Sequence, residues 1–76
     1  MISADPAIEV FRTNVEGTAA AATLRLLLLA LMPGSRIDFD LEDCDRILRI
    51  SYHNTDISSV VRLLADHGFE CQPLDY

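Results

Sequence analysis

Apolar and polar side chains alternate along Arg36–Glu42, RIDFDLE, and the pattern returns along Ile47–Tyr52, ILRISY. Successive strand residues point to opposite sides, so Ile37, Phe39 and Leu41 share one face and Asp38, Asp40 and Glu42 the other. On the return, Leu48, Ile50 and Tyr52 share a face opposite to Ile47, Arg49 and Ser51. The stretch Arg36–Ser51 therefore reads as one β-hairpin. The predicted register sets Leu41 opposite Leu48, Phe39 opposite Ile50 and Ile37 opposite Tyr52. It also sets Asp40 opposite Arg49 and Asp43 opposite Arg46, and leaves Cys44-Asp45 as the loop. Cysteine accepts positive φ poorly, so the turn is expected to be wider than two residues or irregular.

The flanking segments supply the cover that a hairpin with one apolar face needs. Ala7–Val15 is rich in β-branched and aromatic residues and reads as a strand, with Ile8 and Val10 on one side and Phe11, Thr13 and Val15 on the other. Both sides carry apolar groups, which suits a central strand with both faces partly covered, or a bulge. Thr18 is the expected N-cap of a helix over Ala19–Met32. Its core stripe is Ala20, Leu24, Leu27, Leu28 and Leu31, and Leu26 and Leu29 widen the apolar face beyond what one sheet requires. Pro33-Gly34 ends it. A second helix is expected over Asp56–His67, capped by Thr55 or Asp56, with Ile57, Val60, Val61 and Leu64 inward and Gly68 at its C-terminus. Phe69–Leu74 reads as a last strand, and Pro73 confines it to an edge.

The order β-α-β-β-α-β predicts a ferredoxin-like α+β sandwich, a four-stranded antiparallel sheet of order 4-1-3-2 with two helices on one face. The loop Asn14–Thr18, the hairpin turn Asp43–Asp45 and the loop His67–Glu70 then share one end, where a site is expected.

Length and charge narrow the classes. Seventy-six residues form one domain, with a core over about residues 8–74, and bury only roughly 60% of the unfolded surface. Twelve acidic residues face six basic ones, all arginine, for a net charge of −6. That balance argues against nucleic acid and anionic membranes as partners. Residues 1–6 show no basic start followed by an apolar run, and Ala19–Met32 is shorter than the ~20 residues of a membrane span. A cytoplasmic location and reduced thiols are the expectation.

Three local features carry a family resemblance: Pro33-Gly34 before the second strand, the hairpin sequence DLEDCDRILRI, and Gly68-Phe69 before the last strand. Together with the element order they make Ile8–Leu74 resemble the heavy-metal-associated domain of copper chaperones and metal-transporting ATPases. The resemblance implies a Met-x-Cys-x-x-Cys motif after the first strand. This chain has Val15-Glu16-Gly17-Thr18-Ala19-Ala20 there. Two thiolates clamp soft Cu(I), and glycine and alanine offer no ligand, so the family's metal site is expected to be lost.

Other residues at that end are candidates for chemistry. Cys44, His67 and Cys71 could form a relocated soft-metal site. Against it, Cys71 shares the alternation of Phe69 and is expected in the core, roughly 10–14 Å across the sheet from the turn. The acidic hairpin strand lacks the glycine an EF-hand loop needs at its sixth position, and charged edge strands ordinarily block strand addition. His53 lies at the opposite end from His67. No nucleophile–base pair is local in the sequence, so the chain is not expected to be an enzyme, and no cofactor is expected. The first expectation is a non-catalytic interaction or regulatory domain, with a protein partner or self-association through the Leu26/Leu29 face or the acidic edge. The alternatives are a metal carrier with relocated ligands, and a small-molecule sensor binding at Asn14, Glu16, Gly17 and Thr18.

Overall fold

The computed structural model describes residues 7–42, 44–53 and 56–74. Six elements follow in order: β1 (Ala7–Thr13), α1 (Thr18–Leu31), β2 (Arg36–Asp40), β3 (Ile47–Tyr52), α2 (Ser58–Asp66) and β4 (Cys71–Pro73). The sheet is antiparallel with order β2-β3-β1-β4, the 4-1-3-2 order expected of the ferredoxin-like plan. One apolar cluster joins Phe11, Ile37, Leu48, Ile50 and Cys71 of the strands to Leu24, Leu28, Val60 and Leu64 of the helices. Both helices therefore lie on one face. No helix among the described residues is long and apolar enough to cross a membrane.

Face assignment follows the alternation, and register does not. Phe39 stands opposite Leu48 and Ile37 opposite Ile50, so β2 is displaced by two residues from the expected pairing. Asp38, not Asp40, faces Arg49, and Asp40 faces Ile47. A two-residue slip keeps every side chain on its face, so the hydrophobic pattern cannot distinguish the two registers. The loop decides. It runs over residues 41–46, wider than two residues as the cysteine predicted, and turns through Arg46 at φ 48. The pairing expected for Asp43 lies outside the described residues.

β1 is central, and of the two sides the pattern left open it is Phe11, Thr13 and Val15 that are buried. The helix stripes differ in detail. On α1, Ala21, Leu24, Leu28 and Met32 are buried, Ala20, Leu27 and Leu29 are half-buried, and Leu31 is exposed. The inward direction is thus rotated by about one residue from the predicted stripe, and Leu29 packs against the core. Only Leu26, 67% exposed, remains of the widened outer face. Thr18 is the first helical residue, not the cap; Gly17 holds the N-cap position without a side-chain hydrogen bond.

Helix ends are closed by backbone geometry. The α2 start is organised by Asp56, whose Oδ1 accepts from the Ser58 amide at 3.1 Å and the Ser58 hydroxyl at 2.7 Å. These bonds hold its carboxyl below the ordinary carboxylate value. Thr55, the other predicted cap, lies outside the described residues. At the far end Gly68 sits at φ 84, its amide reaching the Ala65 carbonyl at 3.0 Å and that of Phe69 the Leu64 carbonyl at 2.9 Å. This pair of bonds is a Schellman closure, which favours glycine because an L side chain resists positive φ.

A Cβ added at Gly68 meets nothing within 4 Å, so replacement there tests backbone strain alone. Gly68→Ala is expected to lower stability by about 1 kcal/mol, seen as a fall of about 4–8 °C in Tm. Gly17→Ala, at φ −100 in open space, is expected to stay within about 0.5 kcal/mol of the native chain in the same melt.

Candidate functional site

Three connections meet at one end of the sheet and are bonded to one another. The Thr13 amide donates to the Asp45 carbonyl at 3.1 Å. The Thr13 hydroxyl donates to the Arg46 carbonyl at 2.6 Å and accepts from the Val15 amide at 3.2 Å. Asn14 Oδ1 accepts from the Glu70 amide at 2.8 Å. The end of β1 thus holds the hairpin loop on one side and the α2–β4 loop on the other.

Thr13 is the one buried polar residue among the described residues, and its hydroxyl uses its donor and one lone pair. It secures Arg46, a non-glycine residue at positive φ, a conformation that costs roughly 1 kcal/mol. Arg46 adds its own constraint, Nη1 donating to the Leu41 carbonyl at 2.8 Å. Neither role was visible in the sequence. Threonine at a strand end is ordinary, and nothing in the local pattern marks Arg46 for left-handed backbone.

The predicted site residues separate into different environments. Asn14 is engaged in bridging two loops, Glu16 is exposed, and Gly17 uses its carbonyl to accept the Ala21 amide at 3.0 Å. Thr18 is exposed and borders a shallow groove of about 330 Å³ with Ala21, Phe39, Asp40, Leu41 and Glu42. Cys44 is an exposed free thiol on the hairpin loop. Cys71 is a free thiol 7% exposed, paired with Thr13 across β1 and β4. Burial pushes its thiol from the ordinary 9.0 up to about 12, since a thiolate there has lost its water. His67 ends α2, its Nδ1 2.9 Å from the Leu63 carbonyl of its own helix.

The loop that carries Cys44 joins β3, whereas Cys71 lies on β4, on the far side of β1. Two strand spacings make ~10 Å, too far for two thiols to share one small ion without backbone movement. Among the described residues no three of His, Cys, Asp or Glu come together in a way that could hold a metal ion. No family model, no curated protein and no solved structure matches this chain.

Thr13→Val keeps the shape of the side chain and removes the hydroxyl. Urea unfolding is expected to report a loss of about 1–3 kcal/mol, the cost of stranding the Arg46 carbonyl and the Val15 amide.

Cys71 generates an alkaline prediction. Its folded value lies above the unfolded one, so the unfolded chain releases the proton first as pH rises. Stability is intact below about 9 and falls toward about 12, with a slope of up to ~1.4 kcal/mol per pH unit. Subtracting the curve of Cys71→Ala from that of the native chain isolates this slope. Cys44→Ser is expected to leave it unchanged.

Proposed function

We propose that this chain is a small, non-catalytic domain of the heavy-metal-associated type that has lost its Cu(I) site and acts through protein contacts. The observation that carries the proposal is the internal closure of the loop end. Thr13, Asn14 and Gly17 are bonded to the neighbouring loops or to the helix itself. The family's thiolate positions hold Gly17 and Ala20, which offer no side-chain ligand. Cys71 lies in the core with its proton held firmly, so it is poorly suited to bind a metal as thiolate.

Two surfaces suit a protein partner. Leu26 projects 67% exposed from the outer face of α1, between Ala22 and Ala30 one turn away on either side. The β2 edge presents Asp38 and Asp40, continued by Glu42 in the loop. Charge on an edge discourages addition of another strand, so a partner there is recognised by side chains.

A competition titration of the reduced chain with Cu(I), and separately with Zn(II), tests the lost site. The expected result is no stoichiometric uptake, with the same trace for Cys44→Ser and Cys71→Ala. Tight one-to-one binding abolished by Cys44→Ser would replace the proposal with a metal carrier using relocated ligands.

A further inference from the structure

We propose that the sheet face opposite the helices pairs with the same face of a second copy of this chain, making a two-fold symmetric dimer. This face shares Asp38 and Asp40 with the acidic edge but includes neither Leu26 nor the loop end, so its failure leaves the lost metal site and the Leu26 surface proposed above untouched.

The register defines the face. Arg36, Asp38 and Asp40 of β2 stand beside Ser51, Arg49 and Ile47 of β3; Ser51 and Arg49 stand beside Ile8 and Val10 of β1, whose next residue on that side, Arg12, stands beside Gln72 of β4. Three features set it apart from an ordinary solvated sheet face. Ile8 is 61% exposed, with Val10 half-buried next to it on the same side. Half of the chain's arginines lie here, three against two aspartates, on a chain of net charge −6. Among the described residues the side chains of Arg49 and Asp40 make no hydrogen bond or ion pair; the one ion pair on the face is Arg36 with Asp38 at 3.8 Å.

These features choose the occupant. Two chains of charge −6 repel at most approaches, and this face carries the cations that relieve it. The face also carries both halves of its own complement. A two-fold axis along the strands, between β1 and β3, lays β3 over the partner's β1 and β2 over the partner's β4. Ile8 and Val10 of both copies then gather near the axis. Asp40 comes over the partner's Gln72, beside the partner's Arg12, which in the single chain donates to its own Gln72 at 2.8 Å. Ile47 also faces this side and is only 6% exposed.

Area sets the strength. Four strands at ~4.8 Å and about six residues at ~3.3 Å give a footprint of about 400 Å² per copy. Tight interfaces bury about 800 Å² per partner, so this dimer is weak and concentration-dependent.

Sedimentation velocity on the reduced chain over a wide concentration range tests the proposal, with circular dichroism and Tm confirming that each variant folds. The native chain is expected to pass from monomer to dimer as concentration rises. Ile8→Glu and Arg12→Glu are each expected to raise the dissociation constant at least about tenfold. Combining Arg12→Glu with Asp40→Arg restores opposite charges across the axis and is expected to recover dimerisation. Leu26→Glu, on the helix side, is expected to leave the dimer intact. A native chain that stays monomeric at every concentration would overturn the proposal. So would a dimer that survives both face substitutions, or one that only Leu26→Glu dissolves.

Discussion

The hydroxyl of Thr13 is the contact on which the arrangement of one whole end depends. It joins the last residue of the central strand to the hairpin loop through the Arg46 carbonyl and folds the following turn through the Val15 amide. Because Thr13 is buried, water competes less for these groups, and each bond is worth more than its exposed equivalent. The Arg46 backbone sits in a conformation an L residue avoids, and the bond from Thr13 helps keep it there. Loop geometry in turn sets where β3 begins, and hence the register of the hairpin.

The same interaction bears on what this end can do. An open cleft between the first loop and the hairpin would offer free backbone amides to a ligand. Here Thr13 and Asn14 direct those groups to other parts of the chain. The cysteines are divided, one exposed on the hairpin loop and one buried on β4, on opposite sides of β1. The exposed surfaces away from that end include the exterior of α1, the β2 edge and the sheet face opposite the helices. Their chemistry differs: a single leucine among small residues, a row of carboxylates, and a mixed arginine and aspartate surface around exposed isoleucine.

Much of the fold was legible because its signals are local and periodic. Alternation in Arg36–Glu42 and Ile47–Tyr52 placed every hairpin side chain on its correct face. Val60 and Leu64 at helical spacing, Gly68 at positive φ and Pro73 on an edge strand each follow from backbone chemistry that needs no partner. The burial of Cys71 followed from its parity with Phe69. The α1 stripe was less clear because leucine or alanine occupies nearly every position, so several rotations about the helix axis bury similar area.

Sequence by itself determined the six elements, their order, and which face of each strand is apolar, since these depend on residues a few positions apart. Tertiary structure alone decided the register of β2 against β3, the rotation of α1 and the closure of the loop end. Those outcomes turn on pairs far apart in the chain, such as Thr13 with Arg46 and Asn14 with Glu70. Hydrogen bonds between such residues leave no periodic trace, because each partner is unremarkable until folding brings it to the other.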